Sequence, residues 1–111
     1  MDLNRKDIVL VNFNPTKGAE MGKLRPAIVL SDAVDNAILP TIMVIPLSTR
    51  LEDNALPYRF RIVARAQLLQ DSDACINEIR ALSKDRVKQV LGRITDDEYA
   101  ILTKALCQLL A

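Results

Sequence analysis

Three short runs dominate the first half of the chain: Ile8 to Phe13 (IVLVNF), Ala27 to Leu30 (AIVL) and Thr41 to Leu47 (TIMVIPL). Each is rich in β-branched residues and bounded by Pro, Gly, Asn or Ser, and in each the apolar residues are nearly continuous. Strands of that kind are covered on both faces, so the chain is expected to form a small, strongly curved sheet or a partly closed barrel. Tyr58 to Val63 (YRFRIV) behaves differently. Tyr58, Phe60 and Ile62 alternate with Arg59 and Arg61, the pattern of a half-exposed strand with guanidinium groups on its open side. A further strand is expected within Asp73 to Leu82.

The carboxyl end predicts a helix. Thr95-Asp96-Asp97-Glu98 fits a capping box, and the acids favour the positive end of the helix dipole. Tyr99, Leu102, Ala105, Leu106, Leu109 and Leu110 then recur at three- and four-residue spacing and form one apolar stripe that packs on the sheet. The fold class is therefore α+β, mostly β. With 111 residues there is room for one core, and residues 1–111 are expected to form a single domain. Asn14 to Leu24, Asp32 to Pro40 and Ser48 to Pro57 are polar and predicted to be surface loops.

Histidine is absent, which removes every Ser-His, Cys-His and His-His mechanism. Two cysteines, Cys75 and Cys107, cannot build a four-ligand zinc site and form no C-x-x-C pair; they read as small buried hydrophobes in a reducing compartment. No apolar stretch reaches the roughly 18 residues of a membrane span, and the amino end lacks the apolar core of a secretion signal. A soluble, cytoplasmic protein without a membrane partner is expected. Net charge is only +1, but residues 58–93 hold eight of the fifteen basic groups against four acidic ones. Such a run is either simply solvated or an electrostatic footprint for phosphates.

Two segments carry groups suited to chemistry. In Asn14-Pro15-Thr16-Lys17-Gly18-Ala19-Glu20-Met21-Gly22-Lys23-Leu24-Arg25-Pro26, two glycines flank a carboxylate, and an Arg-Pro step fixes Arg25 at the start of a strand. By spacing alone, Glu20 and Arg25 could equally form a surface ion pair. It is not a phosphate loop, since G-x-x-x-x-G-K-[ST] is absent. The second segment, Pro46-Leu47-Ser48-Thr49-Arg50, puts two hydroxyls and a guanidinium at the end of a buried strand, either to contact an anion or as a turn capped by Ser48.

Together these segments say more. Asp7 to Ser31 closely resembles the MazF/PemK toxin family, whose members carry a strand, an F-x-P-T-x-G-x-E loop and R-P-x-x-V-x-S. Val44-Ile45-Pro46-Leu47-Ser48-Thr49 is similar to the family's P-[LC]-T-[ST] strand end. Glu78 to Val87 resembles its Q-I-R-T-[IL]-x-K-x-R-[LV] segment, and Leu91-Gly92-Arg93-Ile94 with the final helix fits as well. Met21, Lys23, Ser48 and Asn77-Glu78 depart from the residues common in the family.

The resemblance implies an SH3-like small barrel of the CcdB/PemK type with a C-terminal helix, a homodimer, and a toxin that cleaves single-stranded RNA without metal or other cofactor. A cognate antitoxin, MazE/PemI-like, would neutralise it. By the same resemblance Arg25 and Ser48 carry the catalytic role and Glu20 is the loop carboxylate. RNA supplies its own nucleophile, the 2'-hydroxyl. Arg25 suits stabilisation of the crowded phosphate, Ser48 with Thr49 beside it would hydrogen-bond that phosphate, and Glu20 would orient Arg25 or act as base. Lys17, Lys23, Arg50, Asn77, Arg80 and Arg86 are the substrate-binding candidates. With aromatic residues at 4% and no Trp, base selection should rest on loop hydrogen bonds, with Leu51 to Pro57 the candidate loop. The alternative is a non-catalytic binding module on the same fold. It would bind antitoxin only, or poison gyrase like CcdB, whose action uses a Trp that this chain lacks.

Overall fold

The computed structural model describes residues 1–13 and 24–111. Among these residues seven strands form one antiparallel sheet: β1 (Asp7–Asn12), β2 (Leu24–Val29), β3 (Thr41–Ser48), β4 (Arg59–Ile62), β5 (Ser72–Cys75), β6 (Arg80–Ser83) and β7 (Val87–Arg93). The order is β4-β5-β3-β2-β1-β7, with β6 pairing along the same edge of β3 as β5. Helix α1 (Ala33–Ile38) links β2 to β3, and α2 (Asp96–Leu110) closes the chain. No helix among the described residues is long and apolar enough to cross a membrane.

The near-continuous apolar runs are buried on both sides, as their composition requires. In β1, Ile8 and Leu10 face one cluster, with Ile28, Ile45, Leu47, Ile62 and Leu91, whereas Val9 and Val11 face a second, with Ala27, Val29, Ile42, Val44 and Leu82. α2 covers the first cluster through Leu102, Ala105, Tyr99, Leu106 and Leu109. The second is enclosed by the curl of the sheet itself and by Leu3. Two irregularities in the β1–β7 register, between Ile8 and Val9 and between Leu10 and Val11, strengthen that curl.

Among the described residues the ladders do not close into a complete barrel, and the expected mostly β fold with its C-terminal helix stands as an open, curved sheet. A turn after β4 spans the gap: the Gln67 amide donates to the Leu91 carbonyl at 2.8 Å. Ala66 holds φ of 47° there, and a Cβ on Gly92 would lie 3.3 Å from the Ala66 Cβ, so glycine permits the close approach. Arg65 locks the turn to α2, its two Nη atoms donating to the Glu98 carboxylate at 2.5 and 2.7 Å. Glu98 also completes the capping box with Thr95, as expected.

Several expectations are corrected. Asp32 to Pro40 is not all loop, because Asp32 caps the short α1 and Asn36 is buried, its amide donating to the Leu3 and Ser31 carbonyls. The single strand expected in 73–82 is interrupted. β5 and β6 run along one edge of β3 three residues out of step, and Ile76–Glu78 leaves the ladder as a 3₁₀ turn that drives Ile76 into the core. Strand β7 had no assignment from sequence. Cys75 is buried as expected, but Cys107 is exposed on the outer side of α2, and both are free thiols. Tyr58 and Leu110 are also exposed rather than packed.

Candidate active site

Pro26 holds the chain extended at the start of β2, and this displays Arg25 on the second residue of that strand, exposed and directly across from Val11 of β1. The ladder between β2 and β3 pairs Ala27 with Pro46, Ile28 with Ile45 and Val29 with Val44. Carried two residues further, that register sets Arg25 opposite Ser48. Residues facing each other across a ladder project to the same side, so both belong to the face of Ala27, Pro46 and Val44. Among the described residues, Arg25 makes no hydrogen bond or ion pair through its guanidinium. An always-charged, fork-shaped donor thus lies on the continued register of the Ser48 hydroxyl, with no competing partner among the described residues.

Ser48 ends β3, half-buried, and its Oγ accepts from the Arg50 amide at 3.2 Å. The turn reading of this segment is therefore correct, and it does not exclude a contact with an anion: among the described residues the hydroxyl proton has no acceptor. Thr49 and Arg50 are exposed immediately beyond. Their loop flanks a cavity of about 390 Å³ lined by Glu52, Asp53, Asn54, Ala55, Leu56, Arg59, Phe60 and Arg61. A larger cavity of about 780 Å³ lies between the amino terminus, α1 and Lys84–Val87, and none of the described sequence-derived site residues lines it.

Arg80 and Arg86 converge on Phe13. The Arg80 guanidinium carbon lies 5.2 Å from the ring centroid, and Arg86 Nη1 donates to the Phe13 carbonyl at 3.2 Å. Phe13 is two residues past Val11, the partner of Arg25, so these cations flank the same end of the sheet. Asn77 is exposed on the 3₁₀ turn between β5 and β6. Glu20, Lys17 and Lys23 lie outside the described residues.

Part of the basic segment is tied up by protein groups, whereas Arg80, Arg86 and Lys88 form no ion pair among the described residues. Arg61 Nε donates to Asp73 Oδ1 at 2.6 Å and its Nη2 to Asp53 at 2.9 Å, and these hydrogen bonds raise the Arg61 pKa above its ordinary value. Arg59 Nη1 donates to the Arg50 carbonyl at 2.9 Å. Arg65 is bound by Glu98, Arg93 Nε lies 3.4 Å from Asp7, and Lys84 Nζ donates to the Asn36 carbonyl at 2.6 Å. Asp73, buried and opposite Ser48 across the β3–β5 ladder, was not singled out by sequence reasoning. Its only sequence signal was an acid inside an apolar strand. Burial pushes the Cys75 thiol up, so it stays protonated and serves packing rather than attack. Among the described residues no group of three or more Cys, Asp or Glu could hold a metal ion.

The family of PemK-like, MazF-like toxins of type II toxin-antitoxin systems matches residues 4–110. The chain belongs to this family. It is 27% identical over 105 residues to the Endoribonuclease MazF of Staphylococcus saprophyticus, covering 94% of this chain and 88% of that protein. Among solved structures, MazF of Deinococcus radiodurans is similar at a TM-score of 0.77 and 26% identity, covering 99% of this chain and 97% of that one. A MazE–MazF structure from the same organism gives a TM-score of 0.78 at 26% identity, with 99% and 97% covered. The open, curved sheet with its terminal helix is thus the MazF fold.

Proposed function

We propose that residues 1–111 act as one toxin domain, an endoribonuclease of a type II toxin-antitoxin system that cleaves single-stranded RNA at a site built on Arg25 and Ser48. The observation that carries the reading is the exposed guanidinium of Arg25, without a partner among the described residues, on the continuation of the register that leads to the Ser48 hydroxyl. The PemK/MazF match over nearly the whole chain and the relative named Endoribonuclease MazF support the class of reaction.

The chemistry needs little from the protein. The substrate's 2'-oxygen forms a bond to phosphorus as the P–O5' bond breaks, leaving a 2',3'-cyclic phosphate and a 5'-hydroxyl end. The enzyme holds the nucleophile in line and stabilises the charge on the phosphoryl oxygens, which together account for many powers of ten. Arg25 donates two hydrogen bonds to that phosphate and Ser48 one, with Thr49 alongside. Glu20 takes the 2'-hydroxyl proton or orients Arg25. The leaving oxygen takes its proton from water, because an Arg guanidinium is too weak an acid. Arg50, Arg80 and Arg86, with Lys17 and Lys23, draw in the strand electrostatically, and Asn77 offers an amide to a base edge. The toxin acts as a homodimer in the cytoplasm, and a MazE/PemI-like antitoxin holds it inactive. MazE–MazF assemblies of similar fold support that partner.

Purified protein incubated with mixed-sequence RNA in EDTA, beside an Arg25→Ala variant, tests this reading. Cleavage by the wild type to cyclic-phosphate ends, abolished in the variant, is the expected result. Equal inertness of both would leave a non-catalytic, antitoxin-binding module.

A further inference from the structure

Asp73 has only 1% of its surface exposed, and no step of the proposed reaction uses it. Burying a carboxylate costs several kcal/mol unless it is paired and hydrogen-bonded, so a buried one without a stated task calls for a reason. Both its oxygens are engaged. Oδ1 accepts from Arg61 Nε at 2.6 Å, and Oδ2 accepts from the Glu52 amide at 2.7 Å, with Arg59 Nη1 3.9 Å from Oδ2. The two arginines then reach on to the loop, Arg59 to the Arg50 carbonyl and Arg61 to the Asp53 carboxylate. One buried group therefore grips the loop at residues 50, 52 and 53. It also stands opposite Ser48 on the neighbouring strand, so the hydroxyl-bearing strand end and the loop leaving it are tied to a single anchor.

We propose that Asp73 is a positioning residue for RNA cleavage: its buried carboxylate, working through Arg59, Arg61 and the Glu52 amide, sets how Ser48, Thr49 and Arg50 meet the scissile phosphate. This rests on the reading of Arg25 and Ser48 as the site. The arrangement does two things at once. It stiffens the loop, since each contact is charge-assisted and the two made by Asp73 itself are partly shielded from water. It also occupies Arg59 and Arg61, so these cations do not draw the phosphate away from Arg25. Loss of the anchor should displace the reacting groups without removing any of them. Misplacement on the order of 1 Å costs about 100-fold in rate.

Steady-state cleavage of a short single-stranded RNA by the wild type and by Asp73→Asn, Arg61→Lys and Arg25→Ala variants, below each variant's melting temperature, tests the proposal. Asp73→Asn is expected to lower kcat by at least about 10-fold with KM within about threefold of wild type, because placement rather than binding is lost. A smaller fall, or a rise in KM alone, overturns the proposal. Should Asp73→Asn fail to fold, Arg61→Lys decides instead, since it keeps a cation beside Asp73 but gives up the fork that reaches Asp53. A kcat at least about threefold below wild type supports the proposal, and an unchanged kcat overturns it. Cleavage by Arg25→Ala at the wild-type rate would show that the site itself was misread, a failure distinct from that of Asp73.

Discussion

Ser48 faces Asp73 directly across the ladder between β3 and β5, while the register on its other side leads to Arg25 of β2. A neutral hydroxyl thus sits between a cation that is open to solvent and an anion that is closed to it. The asymmetry has a plain electrostatic consequence. Asp73 is neutralised by Arg59 and Arg61, which leaves the exposed cations Arg25 and Arg50 to attract an anionic ligand at this end of the sheet.

Replacing Arg25 by Ala should cut the cleavage rate by at least about 100-fold, the effect of removing a donor aimed at developing charge. Stability should change by less than about 0.5 kcal/mol, because an exposed side chain without partners among the described residues is lost. Kinetics on a defined RNA, together with a thermal melt, check both halves.

Ser48→Ala should slow cleavage by about 10-fold, the share of one hydrogen bond that strengthens in the transition state. It should cost about 0.5–1 kcal/mol of stability, because the Arg50 amide loses its acceptor at a surface where water replaces it. A melting temperature that collapses in this variant would mean that the hydroxyl serves only the turn.

Arg50 is exposed, and among the described residues its guanidinium has no partner. Arg50→Gln should flatten the log–log dependence of RNA affinity on salt by about 0.7, the value for one phosphate contact on a single strand. Titrations at several salt concentrations with an inactive Arg25→Ala background measure this, and an unchanged slope would remove Arg50 from the RNA path.

Acid should weaken the link between the 63–68 turn and α2. Hydrogen bonding from Arg65 holds the Glu98 carboxyl below its ordinary 4.5, against burial that pushes the other way, with Thr95 assisting. The folded form therefore binds its proton later than the unfolded chain. The contribution is fully present above the unfolded value and drains away as pH falls below about 4.5 through the folded one. Glu98→Gln should cost about 1 kcal/mol at pH 7 and flatten this acid limb, as read by urea unfolding at pH 7 and pH 3.

Leu102 is wholly buried where α2 meets the sheet. Leu102→Ala should destabilise by about 2–5 kcal/mol through lost burial and the cavity it leaves. Chemical denaturation gives the figure, and a cost below about 1 kcal/mol would mean that α2 is not the lid of this core.

The elements legible in the sequence are those whose stabilising contacts leave a local mark. Burial on both faces writes a continuous apolar run, and β1, β2 and β3 were read from it; a capping box and a four-turn stripe write α2. Six residues of α1 are too few to show a helical period, and its buried member is the polar Asn36, so it looked like a loop. In β7 only Val87 and Leu91 are buried, and the bulged register breaks the alternation that would have marked a strand. The 3₁₀ excursion at Ile76–Glu78 is invisible locally, since it exists only relative to β3.

The chain's own order of residues determined the strand runs, the capped helix, the family and the two segments bearing Arg25 and Ser48, because each is written in patterns of residues close along the chain. Which charges are free was decided only by the tertiary structure. Arg59, Arg61 and Arg65 read as exposed cations until the fold brought Asp73, Asp53 and Glu98 to them, the last from 33 residues away. Coulomb attraction acts across space and takes no account of separation along the chain, so the pairing that leaves Arg25 open and closes Asp73 had no signature in the sequence.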